Sequence, residues 1–348
     1  MTLGPNAQIH EWDGEGVGEA IEHCYEQGWS DGLPVVPPLE HLVEKMLASV
    51  PDAPEAVVAS HRATGRDCTV MAAAVNAVMA GCRPEYFRVL LTALEAANEP
   101  AFSFHASTAS TGGSAPLIVV SGPVVNEIGM NAGAGVFSPG NRANATLGRA
   151  MRLVIMNVFR MVPGLTDQST QGHPGKFSFC IAERSEVCPW EPLAVDRGFG
   201  ANESCVTVYA GAGFNNIENH GGNKPEEILL SAANSMASLG CITHGQSVVV
   251  LSPEHVRVIG NAGWSRNHVK EYLYEHATCS VAALKAAGKY RDREHGEKTI
   301  VHRGRDANDI LVVVAGGDAG GHSAFIPSWS RTRGSIMQSK VINRSALA

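Results

Sequence analysis

The chain has 348 residues, 44% of them apolar and 18% charged, and carries a net charge of −7. That length can bury a large core, and an acidic balance without a basic stripe excludes nucleic acid as the expected partner. No apolar run is long enough to cross a bilayer and the polar N-terminus lacks a signal-peptide pattern, so a cytoplasmic protein without a membrane partner is expected.

Residues 15–28 carry helical spacing, with Val17, Ile21, Cys24 and Tyr25 on one face. Ser30-Asp31-Gly32-Leu33-Pro34-Val35-Val36-Pro37-Pro38 follows, and its prolines forbid a helix interior or a central strand. A stiff extended arm is predicted. Further helices are predicted over 39–50, over 69–80 with Gly81 as the stop, and from Pro84 along the stripe Phe87, Leu90, Leu91, Leu94. The segment 72–80 is built of small residues and is apolar all round, which predicts burial between layers or between subunits, and hence a homo-oligomer.

The stretch 102–152 organises the rest. A short strand over 101–105 is predicted to run into a Ser/Thr/Gly loop, followed by a strand over 116–121. A second glycine-rich loop then opens into a helix over 141–160. Strands over 176–182, 205–210, 248–251 and 310–315 and helices over 225–239, 253–260 and 265–276 complete the pattern, with 291–309 charged and irregular. Strands alternating with helices specify an α/β fold. Each half offers helices, a Val/Ile-rich strand and a glycine-rich loop at its end. The expectation is therefore two similar, duplicated α/β lobes with glycine-rich loops at strand ends. Residues 1–60 would form an N-terminal helical arm, 61–200 the first lobe and 201–348 the second.

Glycine-rich loops at strand ends are where α/β proteins build ligand sites. Ser107, Thr108, Ser110, Thr111, Gly112, Gly113 and Ser114 offer hydroxyls and backbone donors for a carboxylate or phosphate. Arg142 adds positive charge at a helix N-terminus, and Arg149 and Arg152 follow at spacings of seven and three. No glycine cluster has the strand, tight turn and immediate helix of a dinucleotide fingerprint, and no P-loop is present. An echo marks the candidate catalytic residues: His173-Pro174-Gly175-Lys176 and His220-Gly221-Gly222-Asn223-Lys224 each set a histidine and a lysine around a glycine turn. Histidine supplies acid–base chemistry near neutral pH and lysine supplies charge. Asn215, Asn216 and His322 lie on neighbouring polar loops and are expected to bind substrate.

Two alternatives stay open. His173, His220, His244 and His322 could hold a transition metal in space, although no metal-ligand spacing signals it and no cofactor is predicted. Cys241 with His244 could form a thiolate–imidazole pair. The eight cysteines contain no CxxC and read as reduced thiols.

The arm from Gly28 to Pro38, with Gly172-His173-Pro174-Gly175-Lys176 and Pro189-Trp190-Glu191-Pro192-Leu193, resembles a poorly characterised bacterial family. The segment from Val314-Ala315-Gly316-Gly317 to Phe325-Ile326-Pro327 is similar too. Members of that family occur with, or fused to, small thiol or selenol proteins bearing a Sec/Cys-Gly-Ser-Cys motif, which are likened to glycine reductase components. The resemblance implies a thiol or selenol partner protein, since this chain has no Cys-Gly-Ser-Cys of its own. The reading that follows is an enzyme acting on a small anionic or polar substrate by acid–base chemistry, of lyase or C–N/C–S-cleaving type. A metal-dependent hydrolase and a non-catalytic substrate-binding subunit of a redox complex are the alternatives.

Overall fold

Residues 2–3, 7–8, 16–241, 245–289, 296–330 and 334–342 are described by a computed structural model of the chain. Helices α1 (Val17–Glu26) and α2 (Glu40–Leu47) turn Ala20, Cys24, Val43 and Met46 inward. A hairpin of β1 (Val57–His61) and β2 (Arg66–Thr69) leads into α3 (Val70–Ala80). Thr69 caps α3 by accepting a hydrogen bond from Ala72 N at 3.1 Å, and Gly81 closes it in the left-handed region. Helices α4 (Phe87–Ala97), the short α5 (Phe104–Thr108) and α6 (Arg142–Leu153) follow. With small apolar residues on every side, α3 is enclosed by α2, α4 and α6 of its own chain. Its composition is thereby accounted for without a second subunit.

Two four-stranded sheets form the centre. The first contains β3 (Ala115–Ser121), β4 (Cys180–Ala182), β5 (Cys205–Gly211) and a strand from the far end of the chain. The second contains β6 (Asn215–Glu218), β7 (Ser247–Leu251), β8 (Ile310–Val314) and β9 (His322–Pro327). The far strand is β10 (Gln338–Val341), which pairs with β5. Between β6 and β9 the chain supplies helices α7 (Pro225–Ala237), α8 (Pro253–Asn261) and α9 (Arg266–His276).

The period-two alternation of the strands builds four layers. Leu117, Val119, Ile181 and Tyr209 from the first sheet meet Val248, Val250, Leu311, Val313 and Ile326 from the second in one core. The opposite faces carry Ile118, Val120, Val206 and Val208 against α3, α4 and α6, and Val249, Leu251, Val312 and Phe325 against α7, α8 and α9. The order is helices, sheet, sheet, helices. A strand buried on both faces is apolar at most positions, which is why β8, and β7 after Ser247, read as Val/Leu/Ile runs. Tyr209 pins the sheets together, its hydroxyl donating to Gln246 O at 2.8 Å and lying 3.2 Å from Ile326 O.

Both sheets have the same pairing pattern. In the first, β4 is parallel to β3, β3 antiparallel to β5, and β5 antiparallel to β10. In the second, β8 is parallel to β7, β7 antiparallel to β9, and β9 antiparallel to β6. Each run of three strands thus sends the next strand, β6 or β10, into the other sheet. The two crossing segments touch: Gly211 bridges Ser328, and Ala212 N donates to Pro327 O at 2.9 Å. A Cβ at Gly211 would lie 2.9 Å from Ile326 Cγ2 and 3.0 Å from Phe179 Cε1, so any larger residue at the crossing must displace these side chains.

Several elements differ from the sequence-based expectation. Residues 101–105 do not form a strand; a 3-10 turn at Pro100–Phe102 passes directly into α5. The strand expected over 176–182 shortens to β4, preceded by a 3-10 turn at Pro174–Lys176. Strands β1, β2, β6, β9 and β10 lie in stretches too polar or too short for an alternating signal. The expected helix start at Glu15, and Arg291 to His295, lie outside the described residues. Among the described residues no helix is long and apolar enough to cross a membrane.

Candidate functional site

Helix α6 starts at Asn141, whose side chain accepts from Asn144 N at 3.1 Å, and carries Arg152 in its last turn. The loop that follows brings the buried Asp167 beneath it. Asp167 Oδ2 accepts from Lys176 Nζ at 2.5 Å and from Arg152 Nη2 at 3.2 Å. Its Oδ1 accepts from Ser169 N at 3.1 Å and from the Ser169 hydroxyl. Lys176 Nζ also donates to Ser169 Oγ at 2.6 Å. Two cations therefore face one carboxylate, leaving one positive charge in surplus.

Burial alone would raise the Asp167 carboxyl. Hydrogen bonds from Lys176 and Ser169 and the lysine's charge outweigh it and hold Asp167 below the usual carboxylate range. Burial draws Lys176 and Arg152 below their ordinary ranges, with Asp167 opposing in both cases. Asp167 is thus the anion that keeps two partly desolvated cations charged.

The Ser/Thr/Gly loop docks onto this cluster. Ser169 Oγ lies 3.2 Å from Ser110 O, so its single proton has two acceptors, and Thr170 N donates to Thr111 O at 3.0 Å. Ser110 Oγ in turn accepts from Gly112 N at 3.0 Å. Gly113 adopts φ 69°, and a Cβ there would lie 3.0 Å from Gly172 Cα, so two backbones meet in contact. The buried Ser114 hydroxyl has no hydrogen-bond partner among the described residues. Ser107 and Thr108 do not belong to this loop. Both are buried in α5, where Ser107 Oγ donates to Phe104 O at 3.1 Å and Thr108 Oγ1 meets His61 Nε2 at 3.1 Å. Their hydroxyls hold α5 in place.

His173 bridges two elements. Its Nδ1 accepts from Gly175 N at 3.2 Å, which leaves the proton on Nε2 to donate to Gly211 O at 3.3 Å. Burial holds it below the ordinary histidine range; the Gly211 carbonyl opposes this and the Lys176 charge adds to it. A ridge of rings continues from it: His173 lies edge-on to Phe179, Phe179 beside Phe137, and Phe137 edge-on to the half-exposed Phe214.

The second histidine turn is elsewhere. His220 Nδ1 accepts from Gly321 N at 3.2 Å, its ring lies edge-on to His322 at 4.9 Å, and His322 Nδ1 meets Asn216 Nδ2 at 3.2 Å. Asn215, on the same strand, donates to Cys241 Sγ at 3.4 Å. His173 sits against Gly211, beside the pair Ala212 and Pro327, whereas His220 sits by the pair Glu218 and His322. Five strand residues separate those pairs, about 17 Å at the usual rise. The two turns therefore occupy opposite ends of the β6–β9 ribbon and do not share one centre. Lys224 is exposed at the start of α7. The four-histidine metal site fails for the same reason, His173 being remote from His220 and His322. His244, and with it the Cys241–His244 pair, lies outside the described residues. Among the described residues no group of three or more His, Cys, Asp or Glu side chains is placed to hold a metal ion.

The arginines divide. Arg142 Nε donates to Gly81 O at 2.9 Å, capping the end of α3. Arg149 holds Asp31 with two 2.8 Å hydrogen bonds and reaches Leu33 O and Pro34 O, pinning the proline-rich arm to α6. Only Arg152 joins the Lys176 cluster. Asp167 and Ser169 complete it, and their sole sequence signal was a polar loop just before His173. Six cysteines (Cys24, Cys68, Cys82, Cys180, Cys188 and Cys205) have thiols raised chiefly by burial, which is the opposite of an activated thiolate.

A separate cleft of about 330 Å³ lies where β3, β4 and β8 end, bordered by the loop containing Gly133 and Ala134. Arg184 spans it, bound to Asp318, Glu186 and Gly316 O. The fold and site define a mixed α/β protein with a hydroxyl-lined, positively charged polar cluster at one end of its first sheet. No family model, no curated protein and no solved structure matches the chain.

Proposed function

We propose that the chain is an enzyme that binds a small anionic substrate at the Lys176 cluster and cleaves it by acid–base chemistry of the lyase type, at a C–N or C–S bond. The observation that carries this reading is the charge count: Lys176 and Arg152 against the single carboxylate of Asp167, beside the hydroxyls of Ser169 and Ser110. An incoming carboxylate would neutralise the surplus charge. Lys176 is the proton donor to the leaving nitrogen or sulfur. His173, kept neutral by burial, is the base, and it must release Gly175 N to use Nδ1. The ring ridge from Phe179 to Phe214 suits an apolar part of the substrate.

The test is thermal denaturation of the chain against a panel of short carboxylates and amino acids. Saturable stabilisation that Lys176→Met abolishes supports the reading. Stabilisation by none of them, or equal stabilisation of K176M, would sink it.

Six of the eight thiols are raised chiefly by burial, and a thiol or selenol supplied by a separate partner protein is what the family resemblance implies. We also infer that the two lobes arose by duplication. The shared pairing pattern of the sheets and the reciprocal exchange of β6 and β10 support it.

A further inference from the structure

We propose a second anion-binding site, distinct from the Lys176 cluster, in the cleft between the β1–β2 hairpin and the start of α5. The cleft has a volume of about 320 Å³, within the usual range for small-molecule sites. Its lining gathers donors. Arg62 and His105 are both exposed into it, and no ion pair of Arg62 is seen among the described residues. The Asn98 side-chain carbonyl is occupied, accepting from Ser60 N at 2.8 Å, so its amide NH₂ is the group left to donate. Glu99 is the one acidic residue of the lining, and Lys340 neutralises it at 2.6 Å. An anion entering here meets positive charge and donors, and the carboxylate of the lining itself is paired; outside the lining, Asp67 accepts from Ser60 Oγ at 2.6 Å. Phe104 gives the floor an apolar portion.

Backbone strain supplies an independent reason. Among the described residues only Ser103 and Arg160 are non-glycine residues with positive φ, and Ser103, at φ 57°, lines this cleft. A serine in the left-handed region is disfavoured relative to glycine, and such residues cluster at ligand sites. Here the strained turn presents the Ser103 hydroxyl, which makes no helix-capping hydrogen bond, at the lip of the cleft. The ligand class is a small oxyanion, a phosphate or a carboxylate, carried on a molecule with a short apolar part.

The probe is inorganic phosphate, titrated by calorimetry at low ionic strength into the full chain carrying Lys176→Met, which silences the first site. The expected result is one saturable phosphate per chain, weakened tenfold or more by adding Arg62→Ala and severalfold by adding Ser103→Gly. Glycine at 103 also relieves the strain, so S103G is expected to hold or raise Tm while losing affinity. Absence of saturable binding in K176M, or binding that Arg62→Ala and Ser103→Gly leave unchanged, overturns the proposal. Failure of the Lys176 reading is read separately, from the carboxylate panel.

Discussion

The turn at His173–Lys176 and the turn at His220–Lys224 look alike as strings of residues and differ in almost every physical respect. The first is folded over a buried carboxylate, with Lys176 Nζ 2.5 Å from Asp167, and its histidine is largely buried against Gly211 and Phe179. The second stands on the edge strand of the other sheet. His220 and Glu218 are 55% and 60% exposed and 3.8 Å apart, and Lys224 projects from the start of a helix. Charge in the first turn is strengthened by its low-dielectric surroundings, and charge in the second is screened by water. A histidine and a lysine around a glycine are therefore only an offer of chemistry. Burial and a fixed counter-charge decide whether the offer is taken up.

The largest expected effect follows from that counter-charge. Asp167→Asn leaves Lys176 and Arg152 without their anion in a partly desolvated place, a loss of about 3–5 kcal/mol for breaking a buried pair. Glu218→Gln, which alters the exposed partner of the second turn, is expected to leave stability unchanged because surface pairs contribute little. Urea denaturation of both variants makes the comparison. Equal midpoints for the two would mean that the Asp167 cluster is far wetter than its geometry indicates.

The glycines of the two turns sharpen the contrast at the next level of magnitude. A Cβ at Gly175 would lie 2.7 Å from His173 Cε1 and 2.9 Å from Phe179 Cδ1, whereas nothing lies within 4 Å of a Cβ at Gly221. Gly175→Ala should cost roughly 1–3 kcal/mol through forced displacement of the histidine ring. Gly221→Ala should be silent. If G175A is as stable as G221A, the His173 ring is free to move and its two hydrogen bonds are not holding it.

These contrasts mark how far the sequence could be read. Continuous apolar runs announced β3, β7 and β8, and Thr69, Gly81 and Asn141 announced helix ends, because burial and capping leave their mark in local composition. The α/β class was legible for that reason. Strands β6, β9 and β10 were not, since their pairing partners lie in a sheet whose other members come from distant parts of the chain. The site was legible as residue types and illegible as an arrangement. Ser107 and Thr108 are the same residue types as Ser110 and Thr111, yet the left-handed turn at Ser103 winds the first pair into α5 and buries them. Asp167 was hidden because one carboxylate in a polar loop has no spacing rule. Its importance comes only from Arg152 and Lys176 arriving from two other segments. The proline-rich arm is the reverse case: its sequence is conspicuous, and its structural role is the clasp between Asp31 and Arg149.

A pH titration of stability tests which histidines the fold has desolvated. Burial is the chief cause holding His61, His173 and His255 below the ordinary histidine range. The unfolded chain then takes up protons that the folded chain refuses, so stability is complete above that range and declines as pH falls through it. Asp167 acts lower on the scale with the same sign, its contribution present above the usual carboxylate range and lost as pH falls below it. Tm should therefore drop between about pH 7.5 and about pH 5.5, spanning the ordinary histidine pKa. Replacing His255 with Gln should flatten that slope. An unchanged slope in the His255 variant would overturn the assignment of that histidine as one the fold has desolvated.

The smallest effect is the most discriminating for function. Lys224→Ala removes an exposed side chain at a helix start and should change stability by no more than about 0.5 kcal/mol. It should also leave carboxylate-induced stabilisation intact, because Lys224 lies at the far end of the β6–β9 ribbon from Asp167. Lys176→Met, the matching change in the first turn, should abolish that stabilisation. Comparing the two variants by thermal shift with the same carboxylate keeps the residue type fixed and changes only its surroundings. If K224A loses the ligand response and K176M keeps it, the exposed turn is the binding site and the buried cluster is a structural tie. Polar density would then be a poor guide in this fold, and solvent access the better one.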